Sequence, residues 1–435
     1  MIVEARRAVQ PAHSARSPAA TLRIVPVLPA LGVLLALSAL EADRVPHTRW
    51  FVIALCLIWF LRSSRRLPLH SAGAVFYLIA GFCAYVALQI APLPHAISLA
   101  PDATFSHLLR IASCAAVYFL VREKVMEPGA HAWSAAIPVL IVAVLEAVAG
   151  LGQLAAGGPF TEATGTYRDH SHYACLLAMA LPLAVAFAAR KFRSCHHRAL
   201  SVAALAAACL ILLAGIVGAG SRMAFVSTLL SLVLFCVLVL HSRLVRPTVR
   251  ESLAVSATLA VVFLGALAAS AQIIPRFLKL FSPETARFEL PFPIWAQTAA
   301  VLRAHPWFGC GLGALGEGIR RLFPSSVNYY AQNDYLQLLA ELGIAGALAA
   351  GVILALLLRQ GFRAIDASRD PRLKWLAIGA FSSLFALLIH SVVEFNLYIP
   401  ANALTFSWIA AIPAGLHRQS SVEVLISPPE RDSWI

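Results

Sequence analysis

Residues 199–241 read ALSVAALAAACLILLAGIVGAGSRMAFVSTLLSLVLFCVLVLH. Two apolar runs, 199–219 and 223–241, flank the turn Gly220-Ser221-Arg222. Each run has the length a helix needs to cross roughly 30 Å of hydrocarbon, and neither carries the polar face that a helix in water presents. Comparable runs of about 17 to 24 residues recur along the chain with polar punctuation between them. Sixty percent of the residues are hydrophobic and 13% charged, with a mean hydropathy of +0.78, more apolar surface than a soluble domain could bury.

Working outward from that pair, the candidate spans are 23–41, 50–62, 72–92, 106–122, 134–155, 172–189, 199–219, 223–241, 252–273, 336–358, 374–393 and 399–416. This predicts an all-α polytopic membrane protein with about twelve transmembrane helices, because only a helix satisfies its own backbone in lipid. The short second span is flanked by Trp50 and Trp59, which suit the interfacial zone. Lys and Arg gather in alternate connections, as in Arg190-Lys191 with Arg193, and Arg359 with Arg363, Arg369 and Arg372. The short connections on the other side hold only Arg44, Arg49, Arg168 and Arg222. The positive-inside rule then puts both termini in the cytoplasm.

The expected organisation is a cytoplasmic tail over 1–22, helices one to nine over 23–273, a large periplasmic loop over 274–335, helices ten to twelve over 336–416, and a cytoplasmic tail over 417–435. The loop is too polar to insert and long for a connector, which favours a functional role. Its prolines at 291, 293, 306 and 324 predict short amphipathic helices. The net charge of +13 sits in short clusters and forms no continuous face for nucleic acid. Eight cysteines contain no C-x-x-C pair and predict neither a metal site nor a disulfide framework.

Arg222 stands on the side opposite the positive-inside preference. It reads either as a snorkelling interfacial cation or as a clamp on phosphate oxygens, since a guanidinium offers a fork of donors and keeps its proton. Arg287 opens the amphipathic part of the loop, and by itself is a solvated charge. Arg110 falls inside the fourth span, where a cation costs about 2.5–3.5 kcal/mol and calls for a partner or a wet cavity. Arg168, Asp169, His170 and His172 edge the sixth span; the two histidines at i and i+2 face apart on a helix, which argues for a polar rim and against a metal site. His390 and Glu394 are spaced i to i+4 and are expected to share a helical face, as a structural pair or a proton relay. Gly311, Gly313 and Gly316 spell G-x-G-x-x-G, but no strand precedes them, so they read as a turn and not as a dinucleotide site.

Taken in order, Gly165-Thr166-Tyr167 with His172-Tyr173-Ala174, Ser221-Arg222-Met223-Ala224, Trp295, His305-Pro306-Trp307-Phe308-Gly309-Cys310-Gly311-Leu312-Gly313, Asn333-Asp334-Tyr335-Leu336, and His390-Ser391 through Phe395-Asn396 resemble the O-antigen ligase and polymerase superfamily over about Gly165–Asn402. The resemblance implies a metal-independent glycosyltransferase without a cofactor. It would move glycan from an undecaprenyl diphosphate carrier to a hydroxyl of a growing glycan, a lipid A core or a protein, at the periplasmic face of the bacterial inner membrane. It further implies that Arg222 and Arg287 hold the diphosphate. Many relatives carry a histidine directly before Asn-Asp/Ser-Tyr-Leu, where this chain has Gln332, and a neutral amide is no general base. Asp334, His172, His170 and Glu394 are the alternatives, with Gln332 and Asp334 at the reacting hydroxyl. The missing histidine and modest length favour a polymerase or exopolysaccharide role over lipopolysaccharide ligation. A protein oligosaccharyltransferase, a flippase for lipid-linked sugar and a catalytically silent assembly protein are the competing readings.

Overall fold

The computed structural model describes residues 73–92, 97–126, 132–157, 162–194, 199–244 and 292–426. The expected spans 23–41, 50–62 and 252–273, the first tail and Arg287 lie outside these residues. Eleven α-helices are described: α1 Gly73–Ile90, α2 Pro101–Met126, α3 Ile137–Ala156, α4 His170–Ser194, α5 Ala199–Gly218, α6 Arg222–His241, α7 Phe292–Ala304, α8 Leu315–Leu322, α9 Asp334–Ala367, α10 Pro371–His390 and α11 Pro400–Ile426. Single 3-10 turns precede α3 and α11, at Ala132–Ala135 and Asn396–Tyr398. Among the described residues there is no strand. Seven of the helical segments are long and apolar enough to cross a membrane: α1, α2, α3 with its preceding turn, α4, α6, α9 and α10.

The helix starts follow from local chemistry. Ser221, Asn333 and Asp370 sit extended before α6, α9 and α10, and their side chains accept from the backbone N–H of Ala224, Leu336 and Arg372. Each thereby satisfies one of the donors that a first helical turn leaves orphaned. α4 is the central post, with residues 171–184 buried throughout, packed against α10, α5, α6 and α3. Its alanine-rich surface lets Gly379 of α10 lie directly on Ala186 and the Pro182 carbonyl, the small-residue contact that drives helix association where burial of apolar surface brings no gain. α11 closes the bundle against α2 and α9.

Two helices differ most from their expected spans. α11 runs on to Ile426, beyond the expected edge at 416, because 417–426 contains neither Pro nor Gly to stop it. α9 covers 334–367, and within it Gly343 has φ 66° and ψ −175°, so the helix is interrupted after Leu342 and resumes at Ile344. The segment 306–311 stitches the break. Cys310 and Gly311 donate to the carbonyls of Ala340 and Glu341 at 3.1 and 3.0 Å, while Ile344 and Ala345 donate to Pro306 and Trp307 at 2.9 and 3.2 Å. Backbone meets backbone so closely that a side-chain carbon at Gly309 would strike the Glu341 carbonyl, and one at Gly343 would strike Trp307.

Candidate functional site

The site is built where the ends of α4, α6, α9 and α10 meet. Gly165-Thr166-Tyr167 is held by α3: Glu146 accepts from the Thr166 N–H and hydroxyl at 2.9 and 2.7 Å, and Gln153 accepts from Gly165 at 2.9 Å. That turn delivers Arg168 and Asp169, both exposed, to the start of α4. Asp169 accepts from the Ser171 N–H at 2.6 Å, and His170 lies 3.0 Å from Glu162. Ser171 and Ser221 approach to 3.1 Å through their hydroxyls, which fixes the first turn of α6, and with it Arg222, beside the Arg168–His172 edge.

A second corner comes from the segment before α9. Gln332 is exposed and takes φ 49°, the left-handed region uncommon for a residue with a side chain. Asp334 is fully buried. Its N–H donates to the carbonyls of Ser391 and Glu394 at 3.0 and 3.2 Å, and its carboxylate accepts from the Leu397 N–H. Tyr330 stacks on Phe395 with centroids 4.3 Å apart and rings parallel within 1°.

The third corner, 390–398, ties these together. His172 Nδ1 donates to Asn396 Oδ1 at 3.1 Å, which leaves Nε2 as the acceptor nitrogen of that ring. Asn402 donates to the same Asn396 oxygen and to the His172 carbonyl, at 3.2 and 3.0 Å, and accepts from Tyr167 at 3.1 Å. Phe395 meets the His172 ring edge-on at 4.6 Å. Arg110 reaches the Tyr398 carbonyl at 3.3 Å, so the cation inside α2 has a partner in this corner. α10 ends at His390; Glu394 therefore lies in the following turn and not on one helical face with His390. His390 is fully buried, and neither ring nitrogen has a hydrogen-bond partner among the described residues. Burial foremost, then the neighbouring Asp169, pushes the Glu394 carboxyl up to about 8, with Asp334 adding to the rise and Ser171 opposing it.

Arg110, Arg168, Asp169, His170, His172, Arg222, Gln332, Asp334, His390 and Glu394 thus lie on segments gathered at one end of the bundle. Sequence reasoning passed over two buried acids. Glu341 accepts from the N–H groups of Gly313 and Leu315 at 2.7 and 3.2 Å, from Gln337 at 3.2 Å and from the Tyr398 hydroxyl. Glu146 anchors the Gly165 turn as described. Both were visible as lone carboxylates inside apolar runs, a position that is expensive unless partnered. The glycines of 311–316 form a turn, with Ala314 donating to Gly311 at 2.9 Å.

Residues 207–351 match the family model described as O-Antigen ligase. No curated protein matches the chain. The matched third of the chain holds Arg222, Gln332, Asp334 and the stitched break at Gly343. In a chain whose described residues form long apolar helices, residues 207–351 are therefore similar to the O-antigen ligase family.

Proposed function

We propose that this protein transfers a glycan from an undecaprenyl diphosphate carrier to a hydroxyl acceptor at the outer face of the bacterial inner membrane, in surface polysaccharide synthesis. The observation that carries the reading is the Ser171–Ser221 contact, which sets Arg222 at the same edge as Arg168 and His172. Loss of a diphosphate is the largest electrostatic task in such a displacement. Arg222 meets it with charge-assisted donors that stay protonated, and the family resemblance gives Arg287 the same role.

The proton of the attacking hydroxyl needs an acceptor that Gln332 cannot be. Glu394 and His172 Nε2 are the groups suited to it, while Gln332 orients the acceptor by hydrogen bonding. Asp334 acts as a positioning residue, because its oxygens already hold Leu397. A growing glycan is the favoured acceptor, which makes the activity that of a polymerase.

One observation favours a flippase: the interrupted helix α9, a feature of transporters. Against it, the backbone groups freed at the break are taken by 306–311 and by Tyr85 and Gln89 of α1. Those groups are no longer available to a substrate.

The test supplies purified protein with undecaprenyl diphosphate-linked glycan and measures transfer. Arg222→Ala and Arg287→Ala should each lower turnover by about 10²–10³. Absence of transfer by the wild type to glycan, lipid A core or protein, with movement of lipid-linked sugar across a vesicle bilayer, overturns the reading.

A further inference from the structure

The end of the bundle away from the candidate site gathers cations from three helices. α2 brings Arg122, α9 brings Arg359 and Arg363, and α11 brings His417 and Arg418. Short contacts tie these helices together. The Tyr118 hydroxyl donates to Gln360 Oε1 at 3.0 Å, and Gly415 lies against Val125 and the Arg122 carbonyl. Arg122 interacts electrostatically with Arg418, and His417 with Arg363 and Arg359. The Arg418 guanidinium also lies beside Gly73 at the start of α1. Glu123 is the acid that faces Arg122.

The positive-inside rule explains why cations are on this side, but not why they converge. Like charges drawn together from separate helices repel, and a buried cation without a counter-charge is costly. Arg122 is only 9% exposed, and its Nε–H has no hydrogen-bond partner among the described residues. Among the described residues the cations of this rim outnumber the acid Glu123 that faces them, and one buried donor of Arg122 is unused. The depth of the rim selects the ligand. At about 1.5 Å per residue, Arg359 lies roughly 25 Å along α9 from the break at Gly343, close to one hydrocarbon thickness. The same helix exposes Leu348 and Val352 on the way, an apolar flank for an acyl chain beneath a charged head.

We propose that Arg122, Arg359, Arg363 and Arg418 bind the phosphate of an anionic phospholipid in the leaflet opposite the candidate site. The full chain, purified in neutral detergent, is titrated with phosphatidylglycerol, phosphatidylcholine and inorganic phosphate; bound lipid is read by native mass spectrometry and stability by Tm. Phosphatidylglycerol should be retained over phosphatidylcholine by about fivefold per arginine engaged. The exposed pair Arg359→Gln/Arg363→Gln should lose most of that preference, while Arg359→Lys/Arg363→Lys, which keeps the charge, should hold it. Equal retention of the two lipids, or a preference untouched by the glutamine pair, overturns the proposal. So does a Tm raised by inorganic phosphate with no advantage for phosphatidylglycerol, which would make a free anion the ligand.

Discussion

Asp334 reaches across the fold to Leu397, whose backbone N–H lies 3.3 and 3.0 Å from its two carboxylate oxygens. One buried acid at the head of α9 thereby fixes the turn that carries Phe395, Asn396 and Tyr398 against His172 and Arg110.

Replacing Asp334 should separate positioning from chemistry. Asp334→Ala leaves the Leu397 N–H buried without its acceptor and should cost about 1–3 kcal/mol, read by thermal unfolding in detergent. Asp334→Asn keeps one acceptor oxygen and should lose less. If transfer falls in Asn as far as in Ala at equal stability, Asp334 takes part in the chemistry itself.

The Glu394 carboxyl, raised to about 8, gives a pH signature with two signs. As a proton acceptor it must be ionised, so turnover should rise as pH increases through about 8, and Glu394→Gln should flatten that limb. For stability the sign reverses. The folded state holds this proton up to about 8 while the unfolded state releases it near the ordinary glutamate value, so stability should decline as pH rises between those points. Unfolding midpoints across that interval, compared between wild type and Glu394→Gln, check the second sign without an activity assay.

Gly343→Ala should be among the most damaging single changes in α9. It places a side chain at positive φ, a strain of order 1–3 kcal/mol, and drives it into Trp307. Loss of folded yield, or a Tm well below wild type, is expected. Gly351, with open space around it, should accept Ala with a gain of several tenths of a kcal/mol, since it lies within a regular helix.

Glu341→Gln tests the buried acid that holds the 311–315 turn. One carboxylate oxygen is exchanged for an amide that faces donors, leaving N–H groups of Gly313 or Leu315 unpaired. A loss of about 1–3 kcal/mol is expected. Hydrogen exchange should rise at 311–315 before it rises in α4.

The apolar helical class, the rough positions of the spans among the described residues and the likeness to the O-antigen ligase family were legible in residue order alone. Apolar run length is a local property, and a helix in lipid satisfies its backbone without help from distant residues. The break at Gly343 was not legible, because a glycine in an apolar run is ordinary there; what interrupts α9 is the backbone of 306–311, more than 30 residues earlier. Nor could spacing disclose that His390 and Glu394 part company at a helix end, or that His172 takes its tautomer from Asn396 more than 200 residues away. Such relationships are made by packing between helices, and only the tertiary structure decides which end-on side chains meet.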